Sequence, residues 1–145
     1  MNKIEVFYEE VDFFAIDVQM LEQHAEFLVK NEKRKLGDVS IIFCSDEYLL
    51  RINEEYLNHN YYTDIITFDY TENFFISGDL FISLDRIRDN ALKFQTTFYK
   101  ELYRVILHGL LHLVGYRDKT DVEQEKMREK EDFYLEGIDF DRGGI

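Results

Sequence analysis

From Val105 to Val114 the only polar side chains are those of His108 and His112. At helical spacing such a stretch has no face to offer water, so the helix must run through the middle of the domain it builds. The two imidazoles stand four residues apart. On a helix that places both on one face, one turn apart, within reach of a single metal ion. Once buried, the ring nitrogens need partners, and a metal would satisfy one on each ring. Gly115 follows as a stop, since helix ends often need a left-handed residue. A chain that turns back there brings Asp118 to the same ion. Two histidines and a carboxylate, with a fourth position open, form an accepted arrangement for catalytic zinc and also suit other divalent ions. The bare H-x-x-x-H spacing is a weak signal; the apolar helix, the stop glycine and the acid beyond it give it weight.

The remaining pattern alternates strands and helices. Residues 3–8 alternate polar and apolar and predict a strand. A helical period over about 15–36 ends at Gly37. Val39–Cys44 is a β-branched, apolar run and predicts a buried strand, with Cys44 a packed thiol. Ser45 caps a helix over about 46–57, with Tyr48, Leu49, Ile52 and Tyr56 on one face. Residues 64–70 and 78–83 predict two strands that pair as neighbours. Helices follow over about 85–94, 97–114 and, behind the capping box Thr120-Asp121-Val122-Glu123, 120–136. The order predicts one α+β domain over residues 1–145, a small mixed sheet of about four strands packed with helices, with the histidine pair on a central buried helix.

Composition limits what such a domain can do. With 17 basic and 30 acidic side chains the net charge is −13, which excludes a strongly basic nucleic-acid clamp. The charge is uneven: residues 1–83 carry net −11, residues 84–130 net +2 and residues 131–145 net −4. The middle block is the only part that would not repel a polyanion; mixed surface charge for solubility explains it first, and an approach route for an anionic substrate is the alternative that position in the fold must decide. One cysteine makes no internal disulfide. No signal-peptide pattern opens the chain and no apolar run approaches membrane-spanning length. The expectation is a cytoplasmic protein with no membrane association.

The residue after His108 is Gly109. Zinc proteases of the H-E-x-x-H type carry their general base there, so a peptide or amide hydrolase is disfavoured. A glycine inside a helix costs about 1 kcal/mol against alanine, and its presence predicts close approach of another element.

Taken in order, four motifs resemble one family. His108-Gly109-Leu110-Leu111-His112-Leu113-Val114-Gly115-Tyr116 matches the H-G-x-L-H-L-x-G-Y hallmark of the YbeY endoribonucleases. Thr63-Asp64-Ile65-Ile66-Thr67-Phe68 is similar to that family's T-D/N-V-L-S-F segment, and Gly78-Asp79-Leu80-Phe81-Ile82-Ser83 to its G-D-I-x-I-S strand. Asn53-Glu54-Glu55-Tyr56 resembles its L-N-x-x-Y/F stretch. The resemblance implies a single-strand-specific, metal-dependent endoribonuclease, commonly a zinc protein. It implies a role in 3′-end processing of small-subunit (16S) rRNA and in ribosome quality control.

The departures from the family pattern bear on the chemistry. The third metal histidine of the family falls on Asp118, a harder oxygen ligand. An arginine that usually follows the N-x-x-Y/F stretch is Leu57 here, and the proline after the S-F pair is Asp69. The expected metal ligands are therefore His108, His112 and Asp118, around one divalent ion. Arg117 is the expected catalytic phosphate-holding residue, with Lys119 and Arg104 as further phosphate contacts. Asp64 or Asp79 could orient a ligating imidazole through its second N–H. His24 and His59 match no motif, and Tyr61 and Tyr62 offer rings for base stacking. The ion could activate a water molecule, or stabilise phosphoryl charge while the RNA 2′-OH attacks; both stay open. So acidic a chain should need a partner to find its RNA on the small ribosomal subunit, such as a basic ribosomal protein or a ribosome-associated GTPase. The alternative to catalysis is a ribosome-assembly factor with a structural or vestigial metal site.

Overall fold

The computed structural model describes residues 3–140. In chain order the elements are β1 (Ile4–Glu9), α1 (Val18–Asn31), β2 (Lys35–Cys44), α2 (Asp46–Leu57), β3 (Ile65–Asp69), β4 (Phe75–Ser83), α3 (Leu84–Lys93), α4 (Phe98–Leu113) and α5 (Asp121–Glu136). The sheet order is β1-β2-β4-β3. β1, β2 and β4 are mutually parallel, and β3 closes one edge antiparallel to β4. The mixed α+β architecture agrees with the sequence expectation, including the pairing of the two strands around residues 64–70 and 78–83.

Alternation along the strands gives the sheet two faces. Ile41, Phe43, Ile76, Leu80 and Ile82 point into the main core with α1 and α4. Cys44, Ile66, Phe68 and Phe81 point the other way, against Leu49 and Ile52 of α2. Cys44 is buried, and burial with the nearby acids Asp46 and Asp85 pushes its thiol up to about 12. It is the packed thiol that its sequence setting predicts.

α4 runs through the centre, packed against β3, β4, α1, α3 and α5. Leu102, Tyr103, Val105, Ile106, Leu107, Leu110, Leu111 and Leu113 are all buried. At roughly 1.5–3 kcal/mol per large apolar side chain, this helix supplies a major share of the core's burial energy. Gly109 lets it approach the sheet: a Cβ there would lie 2.9 Å from Ile65 Cδ1 and 2.9 Å from Leu80 Cδ2. The predicted close approach is thus between this helix and strands β3 and β4.

Two boundaries differ from the sequence reading. α1 ends at Asn31, not near residue 36, because Lys33 takes a left-handed φ of 66°. Its N–H and that of Arg34 return to the Lys30 and Val29 carbonyls, closing the helix without a glycine. Gly37 therefore lies within β2, where the register to β4 shifts between Leu36 and Val39. A Cβ at Gly37 would sit 2.5 Å from Ser77 Oγ and 2.6 Å from the Ile76 carbonyl oxygen. Its role is strand contact at a bulge. β4 also starts earlier than expected, at Phe75.

Candidate metal centre

The last turn of α4 closes as a Schellman motif. The Gly115 N–H donates to the His112 carbonyl and the Tyr116 N–H to the Leu111 carbonyl, with Gly115 at φ 114°. The reversal carries Asp118 back over the helix. α5 then begins at a complete capping box between Thr120 and Glu123, which fixes the turn from its far end.

Three ligand atoms converge inside this turn. His108 Nε2 and His112 Nε2 are 3.0 Å apart. Asp118 Oδ2 is 3.2 Å from the first and 3.3 Å from the second. A tetrahedral ion with ligands at about 2.0–2.1 Å holds them roughly 3.3 Å apart, so the triangle has the size that a zinc-like ion needs.

Proton positions follow from the outer contacts. His112 Nδ1 lies 2.9 Å from the Tyr116 carbonyl oxygen, which only accepts, so Nδ1 is the donor. His108 Nδ1 lies 2.6 Å from Glu131 Oε2 and donates to that carboxylate. A ring that is neutral with its proton on Nδ1 turns its Nε2 lone pair toward the other imidazole and the Asp118 carboxylate. Three electron pairs so close repel one another unless a proton or a metal ion lies among them. The group can hold a metal ion, and its donor set fits one. Burial works against a charged His108, but the Glu131 contact, with Asp118 and Asp64 nearby, outweighs it and raises the pKa above the ordinary histidine value. The field that draws a proton here also draws a divalent cation.

Each outer contact is itself anchored. Glu131, 6% exposed, is held through Oε1 by Arg104 Nη1 at 2.9 Å, while Arg104 Nη2 reaches Asp132 Oδ1 at 2.7 Å. The Tyr116 hydroxyl donates to Glu32 at 2.6 Å, and Glu32 also accepts from Lys130 and Tyr134. Three hydrogen bonds outweigh burial and lower the Glu32 pKa. Both networks end on α5.

The ligands His108 and Asp118 lie along an open cleft of about 680 Å³ that also takes in Asp64, Ile65, Glu101, Arg104, Arg128 and Glu131. Burial raises the pKa of Asp64, with the nearby His108 opposing it. Burial, then Asp64, pushes Glu101 up to about 6. The expected site residues fall into two groups. His108, His112 and Asp118 come together. Arg117 and Lys119 are exposed on the turn and are not among the residues lining the cleft. Arg104 does line it, with its guanidinium engaged by Glu131 and Asp132.

Neither Asp64 nor Asp79 meets an Nδ1 atom; Glu131 and the Tyr116 carbonyl do. Asp79 pairs in the sheet with Phe68 and Ser40 and interacts with Tyr70. His59 stacks on Tyr61, His24 packs edge-on against Tyr103, and the Tyr62 hydroxyl donates to Glu47. Sequence reasoning missed Glu131 and Glu32. A ligating histidine calls for an outer acceptor, but nothing local singles out one glutamate among the acids of α5.

Fold and site together define an α+β protein in which two histidines and a carboxylate that could hold a metal ion converge beside an open cleft. The model of the family described as endoribonuclease YbeY matches residues 6–139. A protein named endoribonuclease YbeY from Cytophaga hutchinsonii is 52% identical over 135 residues, 88% of this chain and 94% of that one. Another from Karelsulcia muelleri is 46% identical over 129 residues, 89% of this chain and 92% of its own. A Thermotoga maritima protein of known solution structure aligns with TM-score 0.63 at 28% identity, covering 92% of this chain and 87% of the other. The chain belongs to the YbeY endoribonuclease family.

Proposed function

We propose that this protein is a metal-dependent endoribonuclease that cuts single-stranded RNA, acting in 3′-end maturation of small-subunit rRNA and in ribosome quality control. The observation that carries the reading is the convergence of His108 Nε2, His112 Nε2 and Asp118 Oδ2 with both Nδ1 protons committed elsewhere. Family membership supplies the substrate class. One divalent ion, zinc first, supplies positive charge beside the scissile phosphate.

The chain's own residues do the rest. Glu131 and the Tyr116 carbonyl hold the imidazoles in the tautomer that presents Nε2. Asp118 contributes a negative ligand and reduces the net charge of the centre. The Arg117 and Lys119 side chains, exposed on the turn and without an ion pair among the described residues, are free to meet phosphate at the rim. Arg104 fixes Glu131. The net −11 of residues 1–83 supports docking to a basic ribosomal protein or a ribosome-associated GTPase, which delivers the enzyme to its RNA. Among the described residues no helix is long and apolar enough to cross a membrane, and the reading places the protein in the cytoplasm.

The test is elemental mass spectrometry on tag-free protein, followed by cleavage of single-stranded and duplex RNA with His108→Ala as control. About one divalent ion per chain and single-strand cutting that His108→Ala abolishes are expected. A protein that holds no ion after reconstitution, yet still binds the small subunit, would instead be an assembly factor that kept the fold without the chemistry.

A further inference from the structure

The cleft beside the metal centre does not end there. Phe94, Glu101, Arg104 and Arg128 line both the main cleft and an adjoining lobe of about 260 Å³, which adds Lys100, Thr96 and Leu135. The two ends differ in charge. Around the centre the lining is mostly acidic, with Asp64, Asp118, Asp121 and Glu125 beside His108. In the lobe the charged residues are Lys100, Arg104 and Arg128 against Glu101 alone. Arg104 is engaged by Glu131 and Asp132. The Arg128 guanidinium and the Lys100 ammonium have no hydrogen bond or ion pair among the described residues.

Phe94 stands between the two ends with 58% of its surface exposed. Its backbone is fixed. It caps α3, its N–H donates to the Asn90 carbonyl, and the chain leaves through Gln95 at φ 54°. Lys93 Nζ lies 5.7 Å from the ring centroid. An exposed ring alone is ordinary. A ring on a fixed backbone at the edge of a groove, flanked by unpaired cations and continuous with the candidate metal centre, is the arrangement that binds single-stranded nucleic acid, by stacking one base and gripping the backbone.

We infer that this lobe is a nucleotide subsite. One base of the RNA stacks on Phe94, and phosphates next to it meet Arg128 and Lys100 as the strand leaves the metal centre. The subsite rests on the endoribonuclease reading and names the path its substrate takes. The acidic centre repels the backbone until its ion is bound, so the grip sits one step away from it.

The experiment is fluorescence anisotropy of a short oligouridine, 2′-O-methylated to slow cleavage, on the zinc-loaded protein. A matched strand lacking bases and a salt series accompany it. Phe94→Ala is expected to weaken the base-bearing strand about tenfold and leave the abasic strand unaffected. Arg128→Ala and Lys100→Ala should weaken both strands alike and each reduce the salt slope by about 0.7. In cleavage assays KM rises more than kcat falls, and zinc content equals that of wild type. The inference is overturned if these variants bind as wild type while Arg117→Ala and Lys119→Ala lose affinity, because the strand then crosses the turn. Wild-type protein that holds zinc but neither binds nor cuts any single strand overturns the endoribonuclease reading itself, a result distinct from the first.

Discussion

Glu131 Oε2 lies 2.6 Å from His108 Nδ1, and Glu131 Oε1 lies 2.9 Å from Arg104 Nη1. A single buried carboxylate thus joins an arginine and a histidine that both come from α4 to a helix that begins beyond the turn carrying Asp118. Glu131 cannot move without releasing the His108 ring. Outer carboxylates of this kind change metal affinity about 10–100-fold when removed. Glu131→Gln, whose amide keeps the shape, should lose affinity within that range and retain its fold. Glu131→Ala should lose more, and stability as well, because it leaves Arg104 half-paired. Competition with a chelator against thermal unfolding separates the two effects; unchanged affinity in both variants would show that His108 holds its own orientation.

Asp118 stands where the resemblance read in the sequence implies a third histidine, and its carboxylate completes the group that could hold a metal ion. Asp118→His should shift preference toward zinc over manganese, since a softer nitrogen replaces oxygen. Asp118→Ala should lose the ion. The ratio of zinc to manganese retained from an equal mixture, read by elemental mass spectrometry, checks the direction. No change in that ratio would place Asp118 outside the coordination sphere.

Glu101 gives the metal-free protein a pH signature. It is 4% exposed, and burial followed by Asp64 raises its pKa to about 6 from an ordinary value near 4.5. The folded state therefore holds this proton more tightly than the unfolded chain. The resulting stabilisation is fully present below about pH 4.5 and is lost as pH rises through about 6. Glu101→Gln mimics the protonated form and should be more stable than wild type above pH 6, by about 1–2 kcal/mol. Urea unfolding of both proteins between pH 5 and pH 8 in chelator tests it. Parallel curves would mean that Arg104 and Asn90, which favour the charged form, already compensate for its burial.

The histidine helix was legible in the sequence because one run of side chains answered several questions at once. Its apolar circumference gave burial, its spacing gave the shared face, and Gly115 gave the stop. Lys33 and Gln95 close their helices in the same left-handed way, at φ 66° and 54°, but lysine and glutamine carry no such signal. The helix over 15–36 was accordingly read too long, and Gly37 was assigned to the wrong element. Glu131, Glu32 and Arg128 were hidden for a different reason. They sit on helices whose many charged residues all look solvated, and only the docking of α5 on α4 and of α1 on the turn separates them. What a single element determines was readable, whereas what two distant elements determine together was not.

Gly115 separates backbone conformation from packing at the centre. Its φ of 114° lies outside the range that side-chain-bearing residues adopt comfortably, yet nothing lies within 4 Å of where a Cβ would stand. Gly115→Ala should then act through strain alone, at about 1–3 kcal/mol. The turn can relieve that strain by opening, and opening it moves the Tyr116 carbonyl away from His112 Nδ1 and Asp118 away from both Nε2 atoms. Stability and zinc affinity should fall together in this variant. Gly137, at the end of α5, has a φ of −78° and only the Tyr134 carbonyl oxygen, at 3.7 Å, near its own Cβ position. Gly137→Ala is the matched control and should leave zinc affinity where it was. A Gly115→Ala protein that loses stability but binds zinc as tightly as wild type would show that Asp118 and Tyr116 are held from the α5 side, by the capping box and Glu32, and not by the helix stop.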